Sequence, residues 1–186
     1  MPRRNRPPEN VPHYTMSLRV HPRAGRVKGI SWVQFVADRP TRRIVVRLWP
    51  NGPRLAAEGA RLVVHDMSAD VRSDEDLPVE QQPDPTTHVL ELRRSVRPGE
   101  AVDVRIRWTL QLPGPILDRI SRNGDAIRLG SFFPILAWEG RRGWATDPPT
   151  TTLAEASTSP TANFEVSIEA PQHLDVVATG EEVGPG

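Results

Sequence analysis

The sequence predicts an all-β protein, an antiparallel β-sandwich with at most one short helix. In several segments apolar and polar residues alternate with a period of two, the pattern of strands that turn one face to a core and the other to water. These segments recur about every ten residues and are separated by turns rich in proline and glycine, as in sandwiches and barrels. The chain has 20 prolines among 186 residues. Because interior prolines disrupt helices, this composition argues against a helical bundle.

The first strands are predicted from the alternation that begins at Tyr14. Residues 14–20 alternate strictly, and residues 27–37 form a second strand with apolar residues on both faces. A third strand over residues 44–48 ends at the Trp-Pro-Asn-Gly-Pro sequence of residues 49–53, and residues 62–65 begin a fourth.

The clearest strand signal lies in the middle of the chain. Residues 70–85 are polar and are interpreted as a short hairpin and a loop, and residues 89–92 form a strand that stops at the Pro-Gly turn of residues 97–100. Apolar residues then occupy every second position from Val102 to Leu112. This alternation predicts a long strand with one buried face.

The last third of the chain contains the only predicted helix, one or two turns over residues 116–122. Asn123-Gly124 predicts a tight turn. Residues 128–138 are the most apolar stretch, residues 140–160 are interpreted as loop, and strands are predicted over residues 164–168 and 174–178.

Composition excludes several classes of protein. The chain has 24 basic and 23 acidic residues, a net charge of +1, which is not the basic excess of a nucleic-acid-binding protein. Lys28 is the only lysine. The arginines are spread along the chain, so we attribute them to codon bias in a GC-rich genome rather than to one patch for phosphate or carboxylate. There are no cysteines, which excludes disulfides and thiolate chemistry.

The amino-terminal segment and the hydropathy both favour a soluble protein, with the cytoplasm preferred. Residues 1–12 are basic and rich in proline and lack the apolar core of a signal peptide. No apolar run reaches the roughly 18–20 residues that would span a bilayer. We therefore expect the protein to bind neither nucleic acid nor a membrane.

Motifs for catalysis and metal binding are missing from the sequence. It has no Gly-x-Ser-x-Gly elbow, no phosphate-binding loop and no dinucleotide fingerprint. The five histidines are never three or four residues apart, so no helix presents a metal-binding pair. The acidic run of residues 74–76 lacks the spaced ligands and glycine of a calcium loop. We expect no catalytic residue, metal ligand or cofactor in this chain.

The order of several short motifs resembles the amino-terminal domain of the gluzincin zinc aminopeptidases, the aminopeptidase N and leukotriene hydrolase group. In chain order the motifs are Tyr14-x-x-x-Leu18-x-Val20, Gly29, Leu48-Trp49-Pro50-Asn51, Pro98-Gly99, Phe132-Phe133-Pro134, Ala162-Asn163-Phe164-Glu165-Val166, Pro171 and Val177-Ala178-Thr179-Gly180. Each is weak alone, and their shared order spans residues 14–180.

The resemblance implies a saddle-like β-sandwich that packs on a zinc-dependent catalytic domain located after it in the sequence. That domain would carry His-Glu-x-x-His, a downstream glutamate and Gly-x-Met-Glu-Asn, none of which occurs here. The chain is therefore expected to be a non-catalytic fragment, inactive alone, with zinc in the missing domain. Residues 1–13 would be a disordered lead-in, residues 14–180 the domain, and residues 181–186 the start of a linker.

The resemblance also implies residues that line the substrate cleft. A loop before the Phe164 strand would offer a carboxylate to the free amine of a peptide substrate, a charged acceptor suited to a cation. Glu139 is the candidate and Glu155 the second choice, although Ala137 stands where the family's Gln-x-Glu pair has its glutamine. The alternative for Glu139 is a rim carboxylate paired with an arginine.

The expected interface with the catalytic domain is aromatic. It comprises Phe132, Phe133, Trp138 and Trp144. If these residues contact a catalytic domain, an exposed apolar patch is expected near residues 132–144. The alternative is that the tryptophans cover one end of the sandwich. A different class of function stays open, a free-standing immunoglobulin-like binding module for a carbohydrate or protein ligand, with Trp138 or Trp144 as its platform. An intact enzyme built from dispersed side chains has no support in the sequence.

Overall fold

A computed structural model describes residues 11–71, 77–78, 82, 84–124, 126–140, 142–150 and 160–184. It consists of strands with two short helical pieces. The elements are β1 (His13–His21), β2 (Arg26–Val36), β3 (Thr41–Arg47), a 3-10 turn (Trp49–Asn51), α1 (Pro53–Ala57), β4 (Arg61–Ala69), β5 (Leu77–Pro78), β6 (Thr87–Val96), β7 (Ala101–Gln111), β8 (Ile120–Asn123), β9 (Ala126–Leu129), β10 (Ile135–Leu136), β11 (Trp138–Glu139), β12 (Gly143–Trp144) and β13 (Asn163–Glu169). The predicted all-β class is confirmed.

Two sheets form the layers of the fold. The larger has the order β13-β1-β2-β7-β4, the smaller has the order β10-β3-β6-β5, and β8-β9 and β11-β12 are separate hairpins. All pairings are antiparallel except β1 with β13, which run parallel. The larger sheet is therefore mixed, a feature that alternation alone cannot predict because it does not report strand direction.

The core lies between the sheets, on the faces that alternation predicts to be buried. On β1 the buried side chains include Tyr14 and Leu18, and on β7 every second side chain from Val102 to Leu110 is buried. Gly29 and Ser31 lie in the middle of β2 on the same inner face, against Trp108. The opposite face of the larger sheet points away from the core, and we call it the outer face.

The helix predicted over residues 116–122 is wrong. Residues 120–123 form β8, which pairs with β9 through the turn at Asn123-Gly124, where Gly124 has a φ of 57°. Ile120, which would have shared a helix face with Ile116, is instead buried at the start of β8, and Leu117 is 91% exposed. The short α-helix instead begins at Pro53, which stands in its first turn, where its missing N–H costs no hydrogen bond.

The predicted strand over residues 174–178 is also wrong. This segment has no regular structure, although the N–H of Leu174 donates to the carbonyl of Pro171 in a turn. Val177 is 95% exposed. Among the described residues no strand pairs with the segment, and an apolar sequence without a hydrogen-bonded neighbour cannot form a ladder.

The predicted boundaries between the lead-in, the domain and the linker lie close to the ends of the described residues. Residues 1–10 and 185–186 lie outside the described residues, and β1 begins at His13, within the predicted lead-in. The division into lead-in, domain and linker stays a prediction. Within the described residues, neither helix has the length or hydropathy to cross a bilayer.

Candidate functional site

Glu139 lies on a small hairpin at one end of the sandwich. Strands β11 and β12 pair Trp138 with Trp144 and Glu139 with Gly143. Gly143 has a φ of 86°, a left-handed conformation that favours glycine, and this allows the chain to reverse within a few residues. The hairpin holds the Glu139 side chain about one-third exposed, at 32%.

The Glu139 carboxylate already has a cation beside it. Its Oε2 lies 3.6 Å from an Nη of Arg142, and the same guanidinium lies 3.0 Å from Oδ2 of Asp147. Arg142 therefore stands between two carboxylates, as the rim alternative predicted. An ammonium ion that approached Glu139 would have to compete with Arg142. Because Arg142 and Asp147 are exposed and Glu139 is about one-third exposed, the competition is between weak ion pairs.

The hairpin is attached to the rest of the fold by a second arginine. Nη2 of Arg39 donates to the carbonyl oxygen of Gly140 at 2.6 Å, and its guanidinium lies 6.0 Å from the ring centroid of Trp138. These contacts connect the turn of the hairpin to the segment between β2 and β3.

A buried arginine underlies the segment that carries Asp147. Arg47 is 2% exposed, and its guanidinium donates to the hydroxyls of Thr87 at 2.7 Å and Thr86 at 2.9 Å and to the carbonyl of Asp147 at 3.0 Å. It stacks over Trp49 at 4.4 Å. Burial lowers the pKa of Arg47, an effect that Asp84 and Asp147 oppose. The sequence signal for this residue was a cation directly after the apolar run Ile-Val-Val of residues 44–46.

Asp84 supplies the negative charge for this buried cation. Its carboxylate accepts hydrogen bonds from the N–H and hydroxyl of Thr86 and from the hydroxyl of Thr87, at 2.7 Å from Thr87. Burial alone would raise the pKa of Asp84, but these hydrogen bonds together with Arg47 hold it below its usual value. The threonines therefore connect the two charges through hydrogen bonds.

The four aromatic residues predicted for an interface contribute to the core of this domain. Phe132, Phe133 and Trp138 are 8–9% exposed, and Trp144 is partly buried against the same core. Trp138 and Trp144 meet edge to face at 4.8 Å. The exposed apolar patch expected near residues 132–144 is not found among the described residues, because β10 joins the smaller sheet and draws this segment inward. The interface role of these four residues stays a prediction. Trp144, which is only partly buried, is the most accessible of the four.

Exposed apolar surface occurs instead on β13. All seven of its residues are exposed, and the apolar ones, Phe164, Val166 and Ile168, are 36–47% exposed. We call these three residues the β13 row. They stand opposite Tyr14, Met16 and Leu18 of β1 in the parallel register, so they continue the inner face of the larger sheet. Phe164 stacks on Tyr14 at 4.9 Å. Among the described strands only β1 pairs with β13.

Glu155 lies outside the described residues. In the part of the chain that is described, no group of three or more histidine, aspartate or glutamate side chains is arranged to hold a metal ion.

Comparison with known proteins gives similarity in fold. No protein-family model matches the chain, and no curated protein matches it. The M1 zinc metallopeptidase from Deinococcus radiodurans is similar over 86% of this chain and 32% of its own, with 22% identity and a TM-score of 0.46. A variant two-domain M1 zinc metallopeptidase bound to L-arginine gives the same values. A Deinococcus radiodurans variant bound to a Tyr-Ser-Ala substrate has a TM-score of 0.44. This chain thus spans about a third of the length of the solved structures it matches.

Proposed function

We propose that this chain is a non-catalytic β-sandwich domain that packs on a zinc aminopeptidase-like catalytic domain and lines its substrate cleft. The ordered motif series from Tyr14 to Gly180 supports the family. The observation that carries the proposal is the exposure of β13, whose apolar residues continue the inner face of the larger sheet and are 36–47% exposed among the described residues.

The exposure of β13 calls for a covering polypeptide. An edge strand presents unpaired N–H and C=O groups, and natural proteins usually protect such an edge with charges, prolines or another element. Among the described residues the β13 row has none of these on its apolar face. Its acidic neighbours on the other face, Glu165 and Glu169, pair with His13 at 3.5 Å and Arg19 at 2.7 Å. We infer that further chain, in the same polypeptide or in trans, covers the row.

Glu139 is the proposed acceptor for the amine of a peptide substrate, and Glu155 is the second candidate. In this proposal the ammonium group takes the place of Arg142 beside the Glu139 carboxylate. The exchange replaces one cation with another, so the carboxylate keeps a counterion throughout. Zinc and the groups that cleave the peptide would belong to the catalytic domain, and this chain alone would cleave nothing.

The proposal is tested first by sequencing the DNA past the codon for Gly186. A frame that continues into a His-Glu-x-x-His segment supports it, and a stop codon directly after Gly186 contradicts the in-sequence form. The longer protein is then compared with the 186-residue chain by hydrogen exchange. We expect slower exchange in β13 of the longer protein, while β2, which has neighbours on both sides in either case, serves as the control. Equal exchange in β13 would contradict the packing proposal.

The role of Glu139 is tested in the same longer protein. Glu139→Gln should raise KM for peptides with a free amino terminus and leave KM for amino-blocked peptides unchanged. Glu58→Gln, an exposed carboxylate beyond α1, is the matched control. An unchanged KM for free peptides would remove Glu139 from the site.

A free-standing binding module for a carbohydrate or protein ligand is the second candidate function. Trp138 and Trp144 pack against Phe35 and each other, which argues against either one as an open platform. The observation in favour is Trp32, a tryptophan of the outer face that is 43% exposed. A stop codon after Gly186 together with ligand binding by the pure chain would favour this candidate.

A further inference from the structure

We propose that the outer face of the larger sheet binds an acidic polysaccharide, a polymer whose sugar rings carry carboxylate or sulfate groups. The site consists of four cations and a neighbouring tryptophan. We call the cations Arg26, Lys28, Arg61 and Arg107 the basic strip. This proposal does not depend on a catalytic domain, because the outer face lies opposite the core.

The register of the strands brings the basic strip together. Arg26 and Arg61 stand on either side of Gln111 in one row across β2, β7 and β4. Lys28 is in the next row, opposite Thr109, and Arg107 is in the row after that. With neighbouring strands about 4.8 Å apart and about 3.4 Å per residue, the four cations share an area about 10 Å wide and about 14 Å long.

The cations of the strip lack acidic partners among the described residues. Asp66 stands opposite Arg107 in the register, but its ion pair is with Arg105, and the other described acids of the outer face contact residues outside the strip. Asp66 pairs with Arg105 at 3.2 Å, Glu169 pairs with Arg19 at 2.7 Å, Glu165 lies 3.5 Å from His13, and Asp103 accepts a hydrogen bond from Gln34 at 2.9 Å.

Arg26 donates to the neutral Gln111, and the described residues form no ion pair with the strip. All four side chains are exposed. Like charges held this close are unfavourable, and an anionic ligand would relieve their repulsion.

An exposed aromatic ring borders the strip. Trp32 lies on β2 two rows beyond Lys28, between Thr15 of β1 and Arg105 of β7 in the register. Ile30 fills the row between them on the same face. Tryptophan presents a large flat surface at low conformational cost, and exposed tryptophan beside arginine is typical of binding surfaces. From Arg26 to Trp32 the site is about 20 Å long, which suits a chain rather than a single small ion.

A sugar acid fits this arrangement better than a nucleic acid does. Proteins that bind single-stranded nucleic acid stack successive bases on several aromatic side chains along a basic groove. Among the described residues of the outer face, Trp32 is the one aromatic side chain, and the cations outnumber it. A polysaccharide in which one sugar ring stacks on Trp32, and the neighbouring sugars place their anionic groups beside the basic strip, matches this arrangement.

The single lysine provides a reporter within the site. Reductive methylation with labelled formaldehyde places an NMR-visible methyl pair on Lys28 and on the chain's α-amine, and methylation keeps the charge of the lysine. The 186-residue chain is titrated with dextran sulfate, with polygalacturonate, with uncharged dextran and with a single-stranded oligothymidylate. We expect the Lys28 signal to shift with at least one of the two acidic polysaccharides and not with dextran.

Matched variants distinguish binding at the basic strip from non-specific electrostatic attraction to the whole chain. Arg107→Gln should weaken binding of the acidic polysaccharide about threefold, and Trp32→Ala at least about fivefold, with Trp32→Tyr restoring most of the loss. Arg43→Gln removes the same charge from an exposed position of β3 in the other sheet and should change affinity less than about 1.5-fold, roughly the error of the titration. The basic lead-in is the same in every variant, so its contribution cancels.

The outcomes are distinguishable. Response to polygalacturonate as well as dextran sulfate would identify a site for carboxylated sugars, and response to dextran sulfate alone a site for sulfated ones. Equal effects of Arg107→Gln and Arg43→Gln, no effect of Trp32→Ala, or no shift of Lys28 at low salt would overturn the proposal. Tighter binding of oligothymidylate than of either polysaccharide would overturn it in favour of nucleic acid. None of these results depends on whether the reading frame continues past Gly186.

Discussion

The indole ring of Trp108 lies over Gly29, in the space that any side chain at that position would occupy. A Cβ on Gly29 would come within 2.2 Å of the ring. The indole N–H donates to the hydroxyl of Ser31 at 2.9 Å, so the ring contacts two residues of β2. The three residues form the centre of the inner face, and the pairing of β2 with β7 depends on the missing side chain.

Gly29→Ala should therefore destabilise the fold strongly. The new methyl group would force Trp108 or the backbone of β2 to move. Overpacking typically costs about 1–3 kcal/mol, and the 2.2 Å approach puts this substitution at the upper end of that range. Chemical denaturation measures the change. Gly114→Ala is the control, because a Cβ there meets nothing within 4 Å, and it should cost less than about 1 kcal/mol. Similar losses for the two variants would contradict this account of Gly29.

Tyr14→Phe tests a buried hydrogen bond between the two layers. The N–H of Leu136 donates to the Tyr14 hydroxyl at 2.8 Å, and burial raises the pKa of that hydroxyl. The variant leaves a buried N–H without an acceptor, at a cost of about 1–3 kcal/mol. Hydrogen exchange at Leu136 should accelerate in parallel. A variant as stable as the original chain would show that water replaces the hydroxyl.

Arg47→Met tests the buried cation. The substitution keeps an unbranched apolar stem but removes the hydrogen bonds to Thr86, Thr87 and the carbonyl of Asp147, and it leaves the Asp84 charge unbalanced. Hydrogen bonds made by a charged group are worth about 1.5–3 kcal/mol each, so we expect a loss of at least about 2 kcal/mol. Arg43→Met, at an exposed position of the same strand, should stay within about 0.5 kcal/mol. An equal effect at both positions would refute the role of Arg47.

Glu100 should titrate far below an ordinary glutamate. Hydrogen bonds from Arg94 and from the N–H of Arg97 lower the pKa of Glu100 to about 2. Because the pKa is lower in the folded chain, its contribution to stability is complete above about pH 4.3 and is lost as the pH falls toward 2. Carbon-detected NMR gives the midpoint directly. Arg94→Gln should move it up toward 4, and a midpoint near 4 in the original chain would contradict the prediction.

Much of the strand pattern was predictable because alternation reports burial directly. The residues of β7 from Val102 to Leu110 alternate in the sequence and are buried in the same alternation. The turn at Asn123-Gly124 was predictable for a similar reason, since the dipeptide favours one backbone conformation. These features depend on a few neighbouring residues.

Features that depend on distant residues were not predictable. Residues 174–178 have the apolar composition of a strand. A strand also needs a neighbouring strand to pair with, and local composition does not indicate which segment that would be. Trp138 and Trp144 could have covered a partner or this domain, and their place became clear only with β10 on the edge of the smaller sheet. The basic strip was hidden likewise, because its members are far apart in sequence and adjacent only through the register.

The parallel pairing of β1 with β13 has a consequence for synthesis. Arg19 and Glu169, which meet across this pairing, are 150 residues apart. The larger sheet can therefore form its β1-β2-β7-β4 portion while the end of the chain is still on the ribosome, but β1 must wait for β13. Contacts between such distant segments form late and slowly. Until then β1 is an open edge on a nascent chain, and this is the stage at which we expect the protein to be most prone to aggregate.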